Sequence, residues 1–234
     1  MKANERKQIL EKAKIFFRDI IAKNHFKNTT KAAKLKAYKL NPFLANYLAN
    51  YLTGNGSPKS IAMALLYPRV LGTSITTSFG QNSQTFCSTI LKGFASAISG
   101  IDIEFIDQID GRKKYCQLKA GPNTINKDDV KTIFDHFNST KNIARTNKLD
   151  IRIDDLIVGV LYGTPSELSS HYKKIEKEFP VFVGQNFWHR LTGSEKFYFE
   201  LIDAIGEVAI EYDGTKLLAE SIKKLSKEIE GKIS

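Results

Sequence analysis

Residues 100–122 read GIDIEFIDQIDGRKKYCQLKAGP. Ile101, Ile103 and Phe105 alternate with Asp102 and Glu104, the two-residue period of a strand with one buried face. Asp110-Gly111 is the pair that a two-residue type I′ turn prefers, so the run KKYCQLKA is expected to return antiparallel to the first strand. With that turn, Ile101 faces Ala120, Ile103 faces Leu118 and Phe105 faces Cys116, all apolar or small. Turn geometry fixes register, so the opposite face sets Asp102 across from Lys119 and Glu104 across from Gln117. Two carboxylates, an amide and an amine thus share one polar face.

That set suits phosphodiester chemistry. A divalent cation takes hard oxygen ligands, and Asp102 is best placed to supply one. Such an ion polarises a phosphate and turns bound water into a nucleophile. Lys119 can orient that water or stabilise charge on the phosphorane. Gln117 points the same way as Lys119, because residues i and i+2 of a strand share a face, and it offers a neutral amide oxygen. Opposed charges on an exposed hairpin also occur with no catalytic role, each pair contributing little.

Working outward, the N-terminal side reads as helical. Residues 5–24 carry an apolar stripe of Ile9, Ala13, Phe16, Phe17, Ile20 and Ile21, as an amphipathic helix requires. Asn41-Pro42 and Ser57-Pro58 are cap and first-turn signals; the first opens a helix ending near Thr53-Gly54, and Pro68 is expected to close the second. Residues 71–83 read as a polar, flexible stretch, followed by a helix over 83–92 in which Gln84 is a surface amide. On the C-terminal side, Asn126 or Asp128 caps a helix through Phe137, and DDLIVGVLYG (154–163) is a strand buried on both faces. A helix from Ser166, a short strand PVFVG and a helical tail complete the chain. The expected fold class is α/β, a mixed central sheet flanked by helices, with a basic helical region over 1–66 and a core over 67–234.

Composition narrows the function. An apolar fraction of 42% fills a core, and no run of about 18 apolar residues suggests a membrane span. The opening MKANERKQILEK lacks the marks of a signal peptide, and Cys87 and Cys116 make neither a disulfide framework nor a zinc site, so a cytoplasmic location is expected. Residues 1–40 hold twelve Lys and Arg against three Asp and Glu, which is nine of the chain's ten net positive charges. Such asymmetry points to a polyanion, with Lys34 and Lys36 among the candidate DNA contacts; a solvated basic helix is the bland alternative. No GxxxxGK[ST] loop is present, so no nucleotide cofactor is expected.

The hairpin resembles the PD-(D/E)xK nuclease signature, with Asp102 as the first acid and Lys119 as the lysine. The wider text, NPFLANYLANYLTG (41–54), YPRVLGTSITTSFG (67–80) and GIDIEFIDQIDGRKKYCQLKAGPNTIN (100–126), resembles the PmeII-like group of type II restriction endonucleases. The resemblance implies a restriction-endonuclease-like core and a homodimer that cuts double-stranded DNA at a short, near-palindromic site using Mg2+. Gln117 stands where the pattern has its second acid. Either Gln117 coordinates through its amide oxygen or Glu104 supplies the missing charge. Asn123, Thr124, Asn126 and Lys127 follow the catalytic strand and could meet phosphates or base edges, although Asn126 also suits a helix cap. A structure-specific repair or junction-resolving nuclease, and a DNA-binding protein with a decayed site, are the competing readings. The C-terminal residues Phe197, Phe199, Leu201, Ile202 and Ile205 are the expected dimer material.

Overall fold

The computed structural model describes residues 2–212 and 214–233, without the side chains of Ser83, Gln84 and Ile233; Gln84 therefore lies outside the described side chains. Helix α1 (Ala3–Phe16) continues through a widened π-helical turn, Phe17–Ala22, into α2 (Lys23–Ala32), so the first helical run reaches well past residue 24. Helix α3 (Pro42–Thr53) starts as its caps dictate. Asn41 accepts hydrogen bonds from the N–H groups of Phe43 and Leu44, Pro42 takes the first turn, and Gly54 ends the helix at φ +75°. Helix α4 (Pro58–Tyr67) is capped by Ser57, whose hydroxyl accepts from Ser60 N–H at 3.3 Å.

Pro68 does not close that helix. The chain stays helical through a π-helical segment, Pro68–Ser74, and into α5 (Ile75–Ile90). Proline cannot donate an intrahelical hydrogen bond, but a widened turn accommodates its ring without ending the run. The polar stretch 71–83 is accordingly helix, not a flexible connector.

Strand β1 (Ile103–Ile106) and strand β2 (Lys113–Lys119) form the expected hairpin, followed by α6 (Lys127–Thr146), β3 (Leu156–Val160), α7 (Ser170–Ile175) and β4 (Val181–Val183). Helices α8 (Gln185–Thr192), α9 (Phe197–Tyr212) and α10 (Gly214–Ile233) follow. The sheet order is β1-β2-β3-β4, antiparallel in the first pair and parallel in the others. This is the mixed α/β sheet expected. Every residue of β3 is buried, as its unbroken apolar run requires.

The hairpin register differs from the expectation by two residues: Ile103 pairs with Cys116, Glu104 with Tyr115 and Phe105 with Lys114. The turn is longer than Asp110-Gly111 alone, because Asp107 N–H donates to Arg112 C=O at 2.9 Å and Gly111 N–H to Asp107 C=O. Two aspartates build it. Asp107 Oδ1 accepts from Ile109 N–H and Asp110 Oδ1 from Arg112 N–H, the local side-chain bonds that let Asp shape a turn. Arg190 then holds Asp107 Oδ2 at 2.6 Å, anchoring this loop against α8. Side chains alternate along a strand, so a shift of two leaves each on its expected face but changes its neighbour. Glu104 is brought level with Tyr115 instead of Gln117, and Asp102, just before the strand, meets the Cys116–Leu118 backbone instead of Lys119.

Strand β2 lies inside the sheet with both edges paired, and helices cover the sheet on its two faces. Ile133 and Phe137 of α6 and Tyr172 and Ile175 of α7 pack with Tyr115, Leu156, Val158 and Val160 in one core. On the other side, Phe187 of α8 presses so closely on Gly159 that a Cβ there would stand 2.5 Å from its ring. Trp188 is fully buried and donates its indole N–H to Leu161 C=O at 2.8 Å.

The chain divides into two compact units of interleaved segments: Met1–Lys14 with Ser83–Ala204, and Ile15–Asn82 with Ile205–Ser234. The first holds the sheet. In the second, α3, α4 and α10 pack together through Ala45, Ala49, Ile61, Leu66, Ile222, Leu225 and Ile229. Phe197 and Leu201 are buried, while Phe199 and Ile202 are half-exposed.

Candidate active site

Asp102 is exposed at the entrance to β1. Its N–H donates to Cys116 C=O at 3.0 Å, although Ile103 is the registered partner of Cys116. This bulge-like departure re-aims the acid, a usual function of irregularities beside active sites. Its Oδ2 accepts a hydrogen bond from Leu118 N–H at 2.6 Å, which clamps the carboxylate to the backbone between Gln117 and Lys119.

Gln117 is only 4% exposed. Its Nε2 lies 2.9 Å from His136 Nδ1, on α6, and with the amide N–H donating there the carbonyl end is turned away from His136. Gly100 makes room for this ring. Its φ is +82°, and a Cβ would stand 2.4 Å from the imidazole, so both backbone and space require glycine. Lys119 ends β2 largely buried, its Nζ 3.9 Å from Asp129 Oδ1 in the first turn of α6. Asp129 and His136 therefore flank the strand pair Gln117 and Lys119 from one face of one helix.

Glu104 is engaged elsewhere. Its carboxylate accepts from Ser96 Oγ at 2.5 Å and pairs with Lys113 Nζ at 2.5 Å. Burial alone would raise its pKa, but these partners outweigh that and hold it below the usual carboxylate range. The residues after the strand divide in the same way. Thr124 closes the turn by donating to Gly121 C=O at 2.8 Å. Asn126 caps α6, accepting from Asp128 and Asp129 N–H while Asp129 accepts from Asn126 N–H, which is a capping box. Asn123 and Lys127 are exposed in the first unit, and Lys34 and Lys36 are exposed in the second.

Two neighbours escaped the sequence reading. His136 carries no signal in its own stretch, because only the packing of α6 on β2 brings it to Gln117. Tyr162 follows β3 and covers Gly121, where a Cβ would meet its ring at 2.4 Å; the Gly of LKAGP was the available clue to a close approach.

No group of three His, Cys, Asp or Glu side chains able to hold a metal occurs among the described residues. What the site offers is the exposed carboxylate of Asp102 and the amide oxygen of Gln117. That donor set fits magnesium, which keeps several waters and is commonly held through one or two carboxylates together with substrate phosphates. It would not serve zinc, whose sites use nitrogen and sulfur.

A mixed sheet whose first pair is antiparallel and whose others are parallel, with helices on both faces, is the restriction-endonuclease-like fold. The family model described as type II restriction endonuclease EcoO109I matches residues 17–213, and the chain belongs to that family. DNA is accordingly its substrate class. No curated protein matches the chain, and the PmeII-like group remains a resemblance. No helix among the described residues is long and apolar enough to cross a membrane.

Proposed function

We propose that the protein is a type II site-specific deoxyribonuclease that hydrolyses phosphodiester bonds in double-stranded DNA at a short, near-palindromic site. The reading rests on one observation above all: Asp102 is hydrogen-bonded to the backbone of Leu118 at 2.6 Å, so the acid is fixed beside the Gln117–Lys119 pair. Asp102 and Gln117 would hold Mg2+. When bound, that ion supplies charge for the phosphate oxygens and acidity for a water. His136 orients the Gln117 amide, and Gly100 lets it do so. Lys119 aims its ammonium toward charge that develops on the phosphate, where a preorganised donor acts most strongly. Asn123, Lys127, Lys34 and Lys36 supply contacts to the sugar-phosphate backbone, which sets position but not sequence. Glu104, paired with Lys113 and Ser96, supports the hairpin.

The protein acts as a cytoplasmic homodimer in this reading, since a symmetric site is most simply read by a symmetric pair. The outer face of α3 supports this. Phe43, Leu44, Tyr47, Leu48, Tyr51 and Leu52 are exposed along three helical turns, Phe43 by 86% and Tyr51 by 81%. Contiguous apolar stripes of that kind mark interfaces.

The test is digestion of plasmid and genomic DNA in magnesium, with the ends sequenced. Discrete fragments sharing one end sequence are expected. A second reading, a DNA-binding protein with a decayed site, draws on the commitment of Gln117 to His136; DNA that is bound yet uncut over a wide magnesium range would establish it instead.

A further inference from the structure

The second unit carries an open-mouthed cavity of about 870 Å³, within the range of small-ligand sites. Three features describe its walls. Four carboxamides line it, Asn24, Asn28, Gln81 and Asn82, the last with its Nδ2 donating to Ser78 C=O at 2.8 Å, together with Lys31 and Arg69 and no acidic residue. Leu48, Leu65 and Pro68 give it an apolar side. The third feature is the decisive one. Five buried side-chain polar atoms lack a hydrogen-bond partner among the described residues, and three of them, the hydroxyls of Tyr38, Ser74 and Ser78, belong to residues lining this cavity. Ser78 is 5% exposed. Buried polar groups are almost always partnered, so such a concentration calls for an external partner.

The chemistry of the walls selects that partner. Arg69 donates to Ala37 C=O at 2.9 Å and lies over the Tyr38 ring at 5.2 Å, so it contributes positive charge as part of the wall. Lys31 is exposed and has its ammonium available to an anion. A bare anion would use these cations and leave the carboxamides idle. A neutral sugar would have no use for two cations. A carboxamide carries a donor and an acceptor side by side, the complement of a nucleobase edge, and the apolar side suits the face of the ring.

We propose that this cavity binds a nucleotide unit, with the base against the carboxamides and the hydroxyls of Ser74 and Ser78, and the phosphate at Lys31. The unit comes either as a free nucleotide or as one nucleotide of a DNA strand. The inference goes beyond the cleavage reading. Asp102, Gln117 and Lys119 all belong to the first unit, so failure of cleavage leaves it standing.

The experiment is calorimetric titration of the full chain, without metal, with each of the four deoxynucleoside monophosphates and with a single-stranded dodecamer. Saturable binding is expected for at least one of them. Ser78→Ala is expected to weaken it at least fivefold while leaving the thermal midpoint unchanged or raised, because removing an unpartnered hydroxyl takes no bond from the free protein. Asn28→Leu should weaken it as well, and Lys31→Gln should reduce its salt dependence. Mononucleotide binding identifies the free source; binding of the dodecamer alone, abolished in the same variants, identifies the strand. The proposal is overturned if no ligand saturates, or if Ser78→Ala and Asn28→Leu leave affinity unchanged. A lowered midpoint for Ser78→Ala would overturn it too, since the hydroxyl would then have a structural partner.

Discussion

Lys114 Nζ lies 3.1 Å from Asp155 Oδ1, and both residues are about 1% exposed. A buried pair of this kind survives because its remaining bonds are also made. Lys114 reaches Asp110 at 2.7 Å and Asp154 C=O at 3.1 Å, while Asp155 is gripped by the Arg112 guanidinium and accepts from Arg152 N–H. The cluster fastens the hairpin to the start of β3, at the end of the strands opposite Lys119.

Burial by itself would raise the pKa of Asp155, but Arg112, the Arg152 N–H and Lys114 together hold it near about 2, against 3.8 unperturbed. A depressed carboxylate contributes stability that is complete above its unfolded value and is lost as pH falls through its folded value. Asp155 therefore contributes about 2 kcal/mol at neutral pH, lost between about pH 4 and pH 2. Asp155→Ala takes from Arg112 and Lys114 the buried carboxylate they share, leaving them Asp150 and Asp110 nearer the surface, and should cost about 3 kcal/mol, whereas Lys114→Met leaves Asp155 with Arg112 and should cost less. Denaturant melts across pH would check both; equal losses in the two variants would contradict the order.

Asp102→Ala and Lys119→Ala should each reduce cleavage at least a thousandfold, an effect of about 4 kcal/mol or more on the barrier. Asp102 is exposed and Lys119 ends its strand, so neither change opens a core cavity. Near-native melting points with activity abolished are the expected pattern, and wild-type rates in either variant at saturating magnesium would remove the residue from the site.

Gln117→Glu should retain metal-dependent cleavage and lower the magnesium concentration needed for half-maximal rate, since a hard cation prefers a charged oxygen. Without metal, the new carboxylate is next to Leu118, whose N–H holds Asp102, and two carboxylates so placed repel. A folded, DNA-binding but inactive variant would show that the amide N–H facing His136 has a role a carboxylate cannot fill.

Lys34→Ala with Lys36→Ala should weaken DNA binding of every sequence alike. The slope of log affinity against log salt should fall by about 0.9 for each phosphate that the protein no longer neutralises. An unchanged slope would mark both lysines as solvated surface.

Tyr47→Glu with Tyr51→Glu should convert the protein to monomers in sedimentation without unfolding it, because both rings project from α3 into solvent and stack on one another with centroids 6.2 Å apart. A dimer that survives both charges would move the interface off this helix.

The local rules were legible in the sequence. Asn41-Pro42, Ser57-Pro58 and Asn126 are caps because their side chains answer N–H groups two or three residues away, and β3 is buried because nothing polar interrupts it. Gln117 and Lys119 were legible as neighbours on one strand face, but Gln117 is buried against His136 of α6, not open to solvent. What escaped depends on distant partners. The turn built by Asp107 and Asp110 is anchored by Arg190, eighty-three residues from Asp107 in sequence. Helical continuation past Pro68 depends on a widened turn that a proline-stop rule does not contain. His136 reaches Gln117 only after α6 has packed on β2. At the head of α9, Phe197 and Leu201 went inward while Phe199 and Ile202 stayed half-exposed, and a longer exposed stripe lies on α3, where ordinary helical spacing concealed it.

The two-residue offset of the hairpin has a consequence for lineage change at its tip. Insertions or deletions in the segment Gln108–Gly111 that come in twos slide one strand along the other like a vernier, and the acid passes from one partner to the next while keeping its orientation. A change of one residue would invert the first strand, sending Asp102 toward the side occupied by Cys116 and turning Ile103 outward. Drift in loop length should therefore be quantised, with odd-numbered variants purged and even-numbered ones free to retune which side chain the acid meets.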